Sequence, residues 1–265
     1  LVGMGWPHSK MGRSARKTRM TNLVLLHPFP LDHRVWEPVA SKLAGVNVIT
    51  PDFVGCGGRS VPSQAPDLAV VAADIVDQIN AAEIQNFILG GISLGGYVAM
   101  ELLRQIPERI DGLILVDTKS SADTAEGKAN RERVAQQLTN RGQLELLAEN
   151  MVTTLLGKST HKKNPELVAQ VKEWITQANP AAVAWLSRAM ANRIDSAQTL
   201  IDFAEPSLLI RGEEDGVSTS EDFDQMQELL LHVIRVEISG SGHLPPLEQT
   251  DKTILAMQSW LQQFS

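Results

Sequence analysis

The sequence predicts an α/β domain, with a mostly parallel central sheet, helices on both faces and a helical insertion late in the chain. Three observations predict it. Short apolar runs of strand length alternate with stretches of helical periodicity over residues 22–116, and that rhythm makes parallel strands joined by crossover helices. Between Thr118 and about Thr199 only helical patterns remain, before strands return. A serine in Gly90-Gly91-Ile92-Ser93-Leu94-Gly95-Gly96 sits on a strand-to-helix turn.

Composition bounds the function. A chain of 265 residues, 43% hydrophobic and 21% charged, can build a full core in one large domain. Its net charge of −7 argues against nucleic acid and anionic membrane as partners, because both need a basic surface. Residues 1–20 contain Lys10, Arg13, Arg16, Lys17 and Arg19 and no acid. They read as a basic leader, either disordered or an expression remnant. The single cysteine, Cys56, excludes an internal disulfide and fits a reducing, cytoplasmic compartment. No apolar run approaches the roughly 20 residues of a membrane span.

The elements follow in order. Leu23 to Leu26 is a buried-type strand that runs into His27-Pro28-Phe29-Pro30. Asp32 offers an N-cap to a helix through Trp36, Val39 and Leu43 that closes at Gly45. Val46 to Thr50 is the next strand and ends in the glycine-rich turn Asp52 to Ser60. A helix over about Asp67 to Asn80, the strand into Ser93, a helix ended by Pro107 and the strand Leu113 to Val116 complete the first half. The insertion reads as helices over Ala129–Leu138, Leu144–Leu156, Pro165–Ala178 and Pro180–Ala191. Strands then recur at Pro206 to Ile210 and Val233 to Ile238, and the amphipathic stretch Ile254 to Phe264 closes the chain. This gives a core over 21–118 and 200–265, interrupted by a helical cap over 119–199.

The motifs point to nucleophilic catalysis. Gly-x-Ser-x-Gly between strand and helix pushes a serine Oγ out over the end of a sheet. Such a hydroxyl becomes a nucleophile only when an imidazole takes its proton and a carboxylate fixes that imidazole. Asp215 lies on the loop after Leu208 to Ile210, and His243 ends the flexible loop Ser239-Gly240-Ser241-Gly242 after Ile238. Ser93, Asp215, His243 is the order this topology requires. Two backbone N–H groups must also face the developing oxyanion. Leu94 supplies one. In the loop after the first strand Pro28 and Pro30 have no N–H, so Phe29 supplies the other.

These features resemble the α/β-hydrolase fold superfamily over residues 22–265. Within it Phe29-Pro30-Leu31-Asp32-His33-Arg34-Val35-Trp36 is most similar to small carboxylesterases, enol-lactonases and cofactor-free haloperoxidases and perhydrolases. The resemblance implies a cap inserted after the sixth strand of the family pattern, Ser93, Asp215 and His243 as triad, and Phe29 and Leu94 as oxyanion donors. It further implies a small ester or lactone as substrate, an acyl-enzyme on Ser93, and no metal or organic cofactor. Acyl transfer to peroxide, suggested by Pro30, and a receptor-like member with vestigial turnover are the alternatives. The family usually has glycine where this chain has Pro28, and a β-hairpin ahead of the first parallel strand that residues 1–20 do not supply.

Other residues admit plainer readings. Asp117, at the end of a strand, is the rival acid to Asp215, or else a cap or hinge residue. Gly157-Lys158-Ser159 looks like a phosphate loop, but Val152 stands where glycine is needed and no strand precedes it, so it reads as a helix end. Gly55, Gly57 and Ser60 lack the third glycine of a dinucleotide motif and read as a structural turn. Cys56 reads as a quiet turn residue, and His27 and His33 as loop packing. Trp174 and Trp185 either line an acyl pocket or pack between helices.

Overall fold

The computed structural model describes residues 20–142 and 144–264. Apart from Met20, the expected leader lies outside them. The apolar runs become six strands: β1 (Thr21–Leu26), β2 (Val46–Ile49), β3 (Phe87–Ile92), β4 (Ile110–Val116), β5 (Ser207–Gly212) and β6 (Val233–Ile238). They form one parallel sheet in the order β2-β1-β3-β4-β5-β6. The helices of the first half are α1 (Glu37–Ala40), α2 (Leu68–Ala81) and α3 (Leu94–Gln105). Between β4 and β5 lie α4 (Ala125–Arg141), α5 (Glu145–Leu155), α6 (Lys158–Lys163), α7 (Pro165–Thr176), α8 (Pro180–Asn192) and α9 (Ala197–Ile201). The chain ends with α10 (Ser220–Leu229), α11 (Pro245–Glu248) and α12 (Thr250–Leu261). No described helix is long and apolar enough to cross a membrane.

Strand alternation divides the core into two layers. Val24, Leu26, Phe87, Leu89, Leu113, Leu115 and Leu209 face a cluster built with α2, α3 and α10. Their neighbours Leu23, Leu25, Ile88, Ile114, Val116, Leu208 and Ile210 face the opposite cluster, built with α1 and α12. Period-2 placement of apolar residues on both faces is what burial of a parallel sheet requires. The helical segment between β4 and β5 grips both layers. Trp185, Leu186 and Met190 of α8 join the first, and Val152 and Leu155 of α5 with Val171 and Ile175 of α7 join the second.

Two expectations need correction. The helix expected from Asp32 to Leu43 is a 3-10 turn over His33–Val35 followed by the four-residue α1. Asp32 does cap it, accepting from the Arg34 N–H at 3.1 Å. Pro38 explains the break, since it has no N–H for the 34–38 bond of a continuous helix. The second correction is to the count of elements, because α6, α9, α10 and α11 were not foreseen. All but α10 have six residues or fewer, too short to show a helical period.

Strand order places the site. From β1 the chain moves outward to β2, while β3 lies on the other side of β1. The loops leaving the carboxyl ends of β1 and β3 diverge there, and in open α/β sheets ligands bind in that crevice.

Candidate active site

Ser93 occupies the crevice on a strained backbone. Its φ is +54° and ψ −115°, a region L-residues seldom enter. The surroundings enforce that geometry. The Ser93 N–H donates to the Val116 carbonyl at 3.0 Å, and the Ser93 carbonyl accepts from the Thr118 hydroxyl at 2.9 Å. Glycine is required by close packing: a Cβ on Gly91 would strike the Gly95 backbone, and one on Gly95 would strike the Leu26 carbonyl. The start of α3 therefore rests against the end of β1, which brings Leu94 beside the His27 to Pro30 loop. Neither the Phe29 N–H nor the Leu94 N–H has a hydrogen-bond partner among the described residues.

That loop is held from behind. Trp36 Nε1 donates to the Leu26 carbonyl at 3.0 Å. His27 Nε2 accepts from the Phe53 N–H at 3.1 Å, so its proton sits on Nδ1, 3.1 Å from the Pro28 carbonyl. Burial lowers the affinity of His27 for a second proton, and the ring serves as a neutral link between two loops. Asp52 accepts from the His33 N–H at 2.9 Å and lies 2.7 Å from His33 Nδ1. Both histidines thus do the packing expected of them. The Phe29–Pro30 peptide is cis, which the sequence reading did not foresee.

Asp215 and His243 meet at the same carboxyl edge of the sheet, on the loops after β5 and β6. His243 Nδ1 lies 3.0 Å from both carboxylate oxygens of Asp215, and both residues are buried. Asp215 also accepts from the Val217 N–H at 2.8 Å, the Ser218 N–H at 3.1 Å and the Ser218 hydroxyl. Burial alone would raise its pKa, but the charge and hydrogen bond of His243, with the Ser218 and Val217 donors, outweigh burial and hold it well below the usual carboxylate range. With Nδ1 turned to Asp215, His243 presents Nε2, a buried atom without a hydrogen-bond partner. His243, Ser93 and Phe29 line one cavity of 590 Å³, together with Tyr97, Leu146 and Met190. Arg131 and Arg133 also line it, and among the described residues no carboxylate does.

Asp117 lies beside this pair. One ligand-type atom each from Asp117, Asp215 and His243 falls within 4.8 Å of the others. His243 is hydrogen-bonded to Asp215, whereas Asp117 Oδ1 accepts the Gly212 N–H at 2.9 Å. A second such cluster, Asp32, His33 and Asp52, is engaged internally, with Arg34 bonded to Asp32 at 2.7 and 2.8 Å and His33 to Asp52.

The comparisons with known proteins agree with this architecture. The family model for the alpha/beta hydrolase fold matches residues 21–250. The chain belongs to that family. Among hydrolase-fold relatives, a 3-oxoadipate enol-lactonase of Acinetobacter baylyi is 26% identical, with 88% of this chain and 85% of that protein covered. A pimeloyl-acyl-carrier-protein methyl ester esterase of Aliivibrio salmonicida is 26% identical, covering 91% and 92%. A thermophilic esterase from Thermogutta terrifontis, solved with malate bound, superposes with a TM-score of 0.89 at 33% identity, covering 92% of this chain and 90% of that one. The named relatives are hydrolases acting on esters and lactones.

Sequence reasoning missed several residues that hold this hydrolase-fold site together. Glu248 accepts from the Gly157 N–H at 2.7 Å, the Thr160 hydroxyl at 2.6 Å and the Leu244 N–H at 3.0 Å. Glu214 accepts from the Ser159 N–H at 2.7 Å and its hydroxyl at 2.5 Å. The apparent phosphate loop is therefore the start of α6, with its donors taken by two carboxylates. Gly157 packs against Gly242 so closely that a Cβ on either would clash, and the His243 N–H donates to the Leu155 carbonyl at 3.0 Å. The tryptophans do not line the Ser93 cavity. Trp185 donates to the Gln64 carbonyl at 3.0 Å, and the Trp174 ring lies 4.8 Å under Arg34. Cys56 is the quiet residue expected, its thiol pushed up to about 12 by burial and the charges of Asp52 and Asp32.

Proposed function

We propose that the protein is a serine hydrolase that cleaves small carboxylic esters or lactones through an acyl-enzyme on Ser93. One observation carries the reading. A buried His243, fixed through Nδ1 by the Asp215 carboxylate, has an unpartnered Nε2 and lines the same cavity as Ser93.

In this reading His243 Nε2 removes the Ser93 proton as Oγ attacks the carbonyl carbon, and Asp215 stabilises the imidazolium. The oxyanion accepts hydrogen bonds from the Phe29 and Leu94 N–H groups, which makes the loss of a C–O bond through a tetrahedral intermediate accessible. The imidazolium protonates the departing alkoxide, which in a lactone stays attached to the acyl group. Water, deprotonated by the same nitrogen, then releases the acid and restores Ser93. Residues 119–199 act as the cap over the cavity. Membership of the family and the ester- and lactone-cleaving relatives support this chemistry, and the apolar wall of Phe29, Leu146 and Met190 suits a short acyl chain.

Hydrolysis of p-nitrophenyl acetate and butyrate tests it. Ser93→Ala should lower kcat at least about 10³-fold while binding of the product acid persists. Turnover by Ser93→Ala within tenfold of the native rate would refute the assignment.

A further inference from the structure

Asp117 is a buried carboxyl group that the proposed chemistry does not use. It is fully buried at the carboxyl end of β4 and holds φ +40°, an uncommon value for a residue with a side chain. Its N–H donates to the Ile210 carbonyl at 3.0 Å, and its Oδ1 accepts the Gly212 N–H at 2.9 Å. Backbone and one oxygen are thus pinned to β5, and Oδ2 is left buried without a partner. The groups facing it are the Asp215 carboxylate, the His243 ring and the Arg211 guanidinium. Arg211 is directed elsewhere, to the Glu237 carboxylate and the Asp215 main-chain carbonyl, each at 3.3 Å.

Two buried carboxylates within 4.8 Å of each other disfavour joint ionisation, so one of them holds a proton more tightly. Asp215 has the ring Nδ1, a hydroxyl and two N–H donors to stabilise its charge. Asp117 has one N–H. The proton therefore belongs on Asp117, at the oxygen that has no hydrogen-bond partner.

We propose that Asp117 is a positioning residue that stays uncharged and donates a hydrogen bond through Oδ2 to Asp215, fixing the carboxylate under His243 and moderating its pull on the imidazole. Burial first, and then the charge of Asp215, raise the proton affinity of Asp117 well above that of an ordinary aspartate, in keeping with this role. A hydrogen bond donated to Asp215 spreads its negative charge. With less negative charge concentrated under the ring, activity that depends on Ser93 then persists further into acid.

The inference rests on the serine-hydrolase reading, and the pH dependence of kcat/KM for p-nitrophenyl acetate tests it. Asp117→Asn is isoelectric with a protonated aspartate, its amide oxygen able to accept from Gly212 and its nitrogen to donate to Asp215, so its acid limb should coincide with that of the native enzyme. Asp117→Leu removes the donor, and its limb should move to higher pH by about 0.5–1 unit. An ionised Asp117 would give the opposite result, because either substitution would delete a negative charge beside His243 and move the limb to lower pH. A downward shift in both variants, or no shift in Asp117→Leu, overturns the proposal. Should Asp117→Leu fail to fold, a downward shift in Asp117→Asn overturns it and an unmoved limb upholds it, since only a protonated Asp117 leaves the charge unchanged. Ser93→Ala is run alongside: residual turnover there refutes the serine reading itself, whereas Ser93-dependent turnover with the wrong limb shift refutes only the role of Asp117.

Discussion

At the residue scale, Asp215 and Asp117 are neighbouring aspartates pushed in opposite directions. His243 and the Ser218 and Val217 donors lower the proton affinity of Asp215 against the effect of burial, and burial and the charge of Asp215 raise that of Asp117. Stability follows with opposite signs. Asp215, lowered on folding, contributes stability that is present above an unfolded value of about 3.9 and is lost as pH falls through its folded value. Asp117, raised on folding, contributes stability that is complete below that same value of about 3.9 and is lost as pH rises toward its folded value. Asp117→Asn removes this loss. Melting curves should show its Tm climbing relative to the native protein between about pH 4 and pH 7, and a constant difference across that range would contradict a buried neutral carboxyl. The positions of Ser93, Asp215 and His243 after β3, β5 and β6 could be read from the sequence, because each follows a strand-like run closely. The pairing of Asp117 with Asp215 could not, since it depends on β4 and β5 lying side by side, and sequence placed Asp117 only as a rival for the same role.

At the element scale, the sharp strand-to-helix turn at Ser93, an elbow in the chain, and the α6 junction solve one problem, the close approach of backbones. The elbow is local, so its glycines announce it within a few residues. The junction joins Gly157 of the helical segment to Gly242 of the histidine loop across 85 positions, and nothing in either stretch points to the other. Glu248 is its keystone, since its two oxygens accept from the start of α6 and from the N–H beside His243. Glu248→Ala should cost about 1–3 kcal/mol in urea unfolding. It should also lower kcat more than it raises KM, as the histidine loop loosens; unchanged stability and kcat would show that the contact is idle. The same distinction explains α1. Pro38 was in plain view, yet the apolar spacing of Trp36, Val39 and Leu43 imitates a continuous helix that its ring forbids.

At the scale of the whole molecule, strand order decides where chemistry can occur. Alternating strand and helix patterns revealed the parallel sheet, and the two-layer core follows from residues alternating along each strand. The contents of the cavity were not legible. Arg131, Tyr97, Leu146 and Met190 come from four helices and converge only in three dimensions, while the two tryptophans that looked suited to an acyl pocket serve packing. The divergence of β1 and β3 gathers an elbow serine, a loop rich in proline and a buried Asp215–His243 pair at one end of the sheet. The central claim is that these parts form a covalent ester bond to Ser93. Quenching p-nitrophenyl acetate turnover in acid and mapping the digested chain by mass spectrometry tests it most directly: the account predicts an acetyl group on Ser93 that is absent after the ester is exhausted, and active enzyme whose only acetylation lies elsewhere, or nowhere, would contradict it.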